Sequence, residues 1–166
     1  MAGVILEPAA ASAPGRGAAE TARLAAPAAA VLSMVGAWVH FAYMTSHWDD
    51  WWAYGLFFLA MGIGQGLFAA LILLRQSPWL LVAGIAGNLA IIGMYVWSRT
   101  WGIPLGPHIG VVEHSKATDL ATTAAEIVLV GVLLAMAGSG LRRAVINTLL
   151  VAGVALWVLR LTGQLP

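Results

Sequence analysis

Residues 53–74 read AYGLFFLAMGIGQGLFAALILL, a run without charge and with one side-chain amide, Gln65. The hydrocarbon core of a bilayer is about 30 Å thick and a helix rises about 1.5 Å per residue. About 20 such residues therefore cross it, and this run is long enough to do so. Working outward, four further segments share its character: 24–44, 79–97, 119–137 and 144–159. The fold expected is all-α, an integral membrane bundle of five transmembrane helices occupying residues 24–166.

The composition agrees. Hydrophobic residues make up 61% of the 166 residues and charged residues 9%. A soluble domain carries about 25% charged residues to cover its water-facing surface. The net charge of +1 and the absence of a basic cluster exclude a nucleic-acid partner. Without cysteine there are no disulfides, thiolate metal sites, iron–sulfur clusters or cysteine nucleophiles.

Residues 1–23 are rich in Ala, Pro and Gly and contain no spanning run, so they are expected to form a disordered tail. A cleaved signal peptide is the competing reading, with Arg16 and Arg23 as its positive region. The apolar run that follows exceeds the usual ~7–15 residue signal core. Ala–Ser–Ala at 11–13 also lies before that run, on the wrong side for cleavage. The first span is therefore read as retained.

Each link carries stop signals. Thr45–Ser46–His47–Trp48–Asp49–Asp50 separates spans one and two, and Arg75–Gln76–Ser77–Pro78 separates two and three. Pro78 suits a helix start. Thr118 is expected to cap the fourth span, with Asp119 in its first turn, and Gly138–Ser139–Gly140 to end it. The link 98–118 is broken by Gly and Pro and is expected to be an ordered external loop. With the N-terminus inside, Arg16, Arg23, Arg75, Arg142 and Arg143 face the cytoplasm, while Arg99, Lys116 and Arg160 lie outside with the C-terminus. Trp48, Trp51, Trp52, Trp97 and Trp101 then mark the outer interface and Trp79 the inner one. The setting expected is the bacterial cytoplasmic membrane, with the lipid bilayer as the first partner.

Every histidine falls on the outer side of this topology. His40, Met44 and His47 are spaced i, i+4, i+7 and form one stripe if the helix continues, extended inward by Gly36 and Ser33. His108, Glu113 and His114 lie in the outer loop. Imidazole with thioether suits copper, imidazole with carboxylate suits zinc, and a pair of histidines could hold haem. A metal-binding reading uses His40, Met44, His47, His108, Glu113 and His114. No zinc signature accompanies them. The competing reading makes them packing and interfacial residues.

Glu126 lies two turns below Asp119 on the same face, with Thr122 and Thr123 between. A charge at bilayer depth costs about 2.5–3.5 kcal/mol on insertion scales, so Glu126 should face the bundle interior. It is either a proton or cation carrier or a brace between helices, with His40 at similar depth. Gln65 and Asn88 are expected deeper, as interhelical fasteners, and Asn147 near the inner end of span five. Gly62 with Gly66, and Gly84 with Gly87, offer close helix approach within the chain or with a partner.

The stretch Ser98–Arg99–Thr100–Trp101–Gly102–Ile103–Pro104–Leu105–Gly106–Pro107, with Glu126 in the next span, resembles a segment of small uncharacterised multi-span membrane proteins of high-GC, actinobacterial-type bacteria. The resemblance covers roughly residues 85–135. It implies a similar bundle and no known activity.

Three functions follow. The first is an accessory subunit of a larger membrane complex, or a homo-oligomer, packing through glycine-lined faces. The second is a copper- or zinc-binding membrane protein. The third is an oligomeric proton or cation transporter using Glu126 with Asp119. No Ser/His/Asp pattern or phosphate loop is present, which weighs against an enzyme.

Overall fold

A computed structural model describes residues 16–163. It contains α1 (Arg16–Asp50), α2 (Trp52–Leu74), α3 (Pro78–Thr100), α4 (Ala117–Met136) and α5 (Ser139–Leu161). All five are long and apolar enough to cross a membrane. The all-helical class and the five spans expected from sequence are thus present, in the architecture of a multi-pass membrane protein.

The helices outrun the apolar segments. α1 already begins at Arg16, within the part of the chain expected to be a tail. Residues 1–15, with the rest of that tail and Ala–Ser–Ala, lie outside the described residues. At its other end α1 continues through the polar stretch 45–50. Nothing there breaks a helix, and Ser46 Oγ and His47 Nδ1 donate back to Tyr43 O at 2.9 and 2.8 Å. The link between α1 and α2 is therefore Trp51 alone. A Cβ at Gly55 would stand 2.5 Å from Trp48 Cβ, so glycine lets the two helices meet at this joint.

α3 starts at Pro78, capped by Ser77, whose hydroxyl accepts from Leu80 N at 3.2 Å. α4 departs from expectation. Thr118 is inside its first turn, and the carboxylate of Asp119 receives Lys116 N at 3.1 Å instead. The Thr118 hydroxyl is free to accept from Tyr43 Oη at 3.2 Å, tying α4 to α1.

Packing is uneven. α1 lies along α2, and α4 lies along both α1 and α3. α2 and α3 diverge above their short link, leaving a cleft of about 300 Å³ with Ser33, Gln65 and Asn88 in its wall. α5 has no buried residue and gives only Leu141 and Val145 to the edge of the core. The five-helix bundle is built as a four-helix core with a peripheral fifth helix.

Two ends can be told apart. At the end carrying the 75–77 link, here the turn end, Ala29, Ala30, Phe68, Ile72, Leu81, Ile85, Leu129 and Leu133 form the apolar core. At the other, the loop end, residues 101–116 fold into a compact cap. Ile103 N donates to Val111 O at 3.0 Å and Gly110 N to Ile103 O at 2.9 Å. Tyr54 Oη donates to Leu105 O at 2.6 Å. Gly106 has φ +91° and lies against Trp51 and Tyr54, where a Cβ would come within 2.6 Å of both. The ordered loop expected from sequence is therefore present, seated on the start of α2.

Candidate functional site

Where the apolar core stops, a polar network begins. Ser33 and His40 on α1, Gln65 on α2, Asn88 on α3 and Glu126 on α4 are all buried. Each of the four core helices supplies at least one of them. Polar groups removed from water need partners, because an unmade hydrogen bond there costs about 1–3 kcal/mol.

Gln65 is the hub. Its backbone carbonyl accepts from Ser33 Oγ at 2.8 Å. Its Nε2 donates to Asn88 Oδ1 and to Glu126 Oε1, both at 3.3 Å. Asn88 Nδ2 donates to Gly84 O at 2.8 Å. The Gln65 amide lies flat on α1 at Gly36, where a Cβ would be 2.7 Å from Oε1 and 2.8 Å from Nε2. Only glycine leaves room for it. His40 Nδ1 donates to Gly36 O at 2.9 Å. Gln65 Oε1 is buried and has no hydrogen-bond partner among the described residues.

Gln65 and Asn88 were expected below Glu126. They stand level with it, Gln65 bonding to it directly and Asn88 to Gln65, because α2 and α3 cross the core at the height where α4 presents the carboxyl. Glu126 is 3% exposed, and among the described residues its one hydrogen-bond partner is Gln65. His40 is buried too, its Nδ1 donating to Gly36 O, the residue against which the Gln65 amide lies.

A second polar group closes the loop end. Arg99, in the last turn of α3, pairs with Glu113 of the loop and with Asp119 of α4, the latter at 2.8 Å. Its guanidinium lies 4.7 Å above the Tyr95 ring. A cation at a helix C-terminus and a carboxylate at a helix N-terminus both suit the helix dipoles. This clamp was missed in the sequence, where Arg99 served only to set orientation. The readable signal was an arginine at a span boundary followed by two acids before the next span. Asp119, expected to work with Glu126, is held by Arg99.

The six residues of the metal reading do not converge. Among the described residues no three His, Asp or Glu side chains form a group able to hold a metal. α1 does continue, so His40, Met44 and His47 share a face, but the two imidazoles bond to their own helix. His47 stacks on Phe58 at 3.8 Å, and His40 is tilted against the same ring at 5.5 Å. Glu113 is taken by Arg99. His108 stacks loosely on Tyr54 at 6.4 Å, and His114 is exposed. An imidazole–carboxylate zinc set is therefore not assembled among the described residues.

The glycine pairs are half used. A Cβ at Gly62 would press on Phe41 at 2.9 Å, and at Gly84 on Leu133 Cδ1 at 3.0 Å. Gly66 has only Ala37 at 4.0 Å, and Gly87 has nothing within 4 Å. Gly36 and Gly55, outside both pairs, make approaches of similar tightness to Gly84, where a Cβ would press on Phe68 Cε2.

Comparison with known proteins finds no matching family model, no matching curated protein and no matching solved structure.

Proposed function

We propose that this chain is a multi-pass protein of the bacterial cytoplasmic membrane in which Glu126 binds and releases a proton. The observation that carries this reading is a carboxyl, 3% exposed, among four apolar helices, bonded to an amide and paired with no Lys or Arg among the described residues. Ionisable groups inside membrane helices are costly and mark proton or ion sites. An amide neighbour suits the role, because its Nε2–H can donate to a carboxylate oxygen and to the carbonyl oxygen of the protonated acid alike.

Access is one-sided in this arrangement. The apolar core closes the turn end below Glu126, whereas half-buried Thr122 and Thr123 line α4 above it. The protein is thus a proton-binding centre and not an open pore, and movement of charge across the membrane would need a second conformation or a partner. Infrared spectra in lipid vesicles over a pH series test the reading. A protonated-carboxyl band that changes with pH should be lost in Glu126→Gln and kept in Asp119→Asn, where the carboxylate removed is the one held by Arg99. A band unaltered by Glu126→Gln would overturn the reading.

α5 favours a second reading, an accessory subunit. It buries no residue, and its exposed Asn147 carries no side-chain hydrogen bond among the described residues. Amides on apolar helices fasten to neighbouring helices, so the partner would present a polar side chain to Asn147. The mass of the particle in mild detergent should exceed that of one chain and fall to it in Asn147→Leu. A single-chain mass for the unaltered protein would remove this reading.

A further inference from the structure

α5 carries a side chain that lipid cannot satisfy. Its exposed valines and leucines can rest against acyl tails, which are as apolar as they are. Asn147 cannot, because it is exposed within an apolar span and its amide makes no hydrogen bond among the described residues.

The residues on its side of the helix keep a regular spacing. Ala144, Asn147, Val151, Val154, Val158 and Leu161 are separated by three and four positions in turn, and all are exposed. A mean repeat of about 3.5 residues is that of helices wound about each other in a left-handed coil. The stripe lies about a third of a turn round the helix from Leu141 and Val145, which pack on the core, so pairing along it leaves the seat of α5 undisturbed.

We propose that two copies of this chain pair in parallel through this stripe, with the two Asn147 amides bonded to each other. This rests on the reading in which α5 meets a partner chain, and it names that partner. The charges flanking the spans set one orientation for every copy. A two-fold axis along the membrane normal then brings Asn147 opposite Asn147 at the same depth. Each amide has an oxygen that accepts and an Nδ2 that donates, so two of them close a reciprocal pair. Any other chain would have to supply a polar group at that depth, whereas a second copy does so by symmetry. Ala144 is small and lets the backbones approach beside the amides. Val151, Val154 and Val158 bring stiff side chains that lose little freedom on packing. A single amide in an apolar seam also fixes the register, since a slip leaves both amides unbonded. Arg142 and Arg143 fall near the start of α5, at the membrane surface, where salt screens their repulsion across the pair.

Because the chain has no cysteine, single introduced thiols report the contact in lipid vesicles. Val151→Cys and Val154→Cys should give a disulfide-linked dimer on mild oxidation. Leu156→Cys, exposed on the other side of α5, should not. Adding Asn147→Leu to Val154→Cys should weaken self-association about 3- to 30-fold, whereas Asn147→Gln, which keeps the amide, should retain most of the linked product. Equal yields from Val154→Cys and Leu156→Cys, or a yield unaffected by Asn147→Leu, would overturn the pairing. If in that case the particle drawn from its native membrane still exceeds one chain by the mass of a different protein, the accessory-subunit reading stands and only the self-pairing fails. A single-chain mass would remove both.

Discussion

The same four helices are filled in two ways. At the turn end Ile72, Leu81, Leu129 and Leu133 interdigitate around an apolar centre, while at the loop end Ser33, His40, Gln65, Asn88 and Glu126 meet in a network with a fixed donor direction. In lipid the first arrangement rests on dispersion and shape, since the surrounding tails are as apolar as the core itself. The second rests on partners, because each polar atom there has nowhere else to bond. The difference teaches that a small membrane bundle can confine its chemistry to one level and use the remainder as a dry plug.

Three changes would break or sharpen this contrast. The largest effect is expected from Gly36→Val, which drives a branched side chain into the Gln65 amide. Overpacking of this kind costs about 2 kcal/mol, and it should also alter the Glu126 infrared band. Gly87→Val, at a helical glycine with open space beside it, should stay within about 0.5 kcal/mol. Unfolding titrations in mixed detergent micelles compare the pair, and equal costs would show that the amide contact with α1 is not what demands glycine.

Next comes Arg99→Met. The clamp is partly exposed, with side-chain exposures of 20% for Arg99, 39% for Glu113 and 24% for Asp119. Its loss should cost about 1 kcal/mol or less, and the difference from the unaltered protein should shrink as salt is added. A salt-independent loss would mean that Arg99 acts through its packing on Tyr95. The smallest effect is expected from removing residues 139–166. Because α5 buries nothing, α1–α4 should keep their stability to within about 0.5 kcal/mol, measured by the same titration. A collapse of the four-helix core would overturn the division between core and periphery.

Much of this was legible in the sequence, for reasons that separate cleanly. The spans follow from uninterrupted apolar length, which a bilayer of fixed thickness translates into helices. The burial of Glu126 followed from the cost of charge in lipid, and its register with Asp119 from helical periodicity. What could not be read was which polar atoms meet across helices. Gln65 and Asn88 looked like separate fasteners because depth along a span does not reveal the rotation of each helix. The residues of the metal reading stand apart for a related cause. His40 and His47 share a face of α1, but a histidine can bond to the backbone carbonyl four residues before it, and both do. Arg99 was passed over because its partners, Glu113 and Asp119, sit 14 and 20 positions away, beyond any helical repeat.

The one-residue joint at Trp51 bears on how the molecule is made. α1 and α2 leave the ribosome as an almost unbroken hairpin, and Ser33 can reach the backbone of Gln65, 32 positions later, as soon as both are inside the bilayer. Glu126 follows Gln65 by 61 positions. At about 5–20 residues per second of synthesis, the amide waits on the order of 3–12 s for its carboxyl. The acid is thus the late arrival, inserted beside a hairpin whose donor is already in place to receive it.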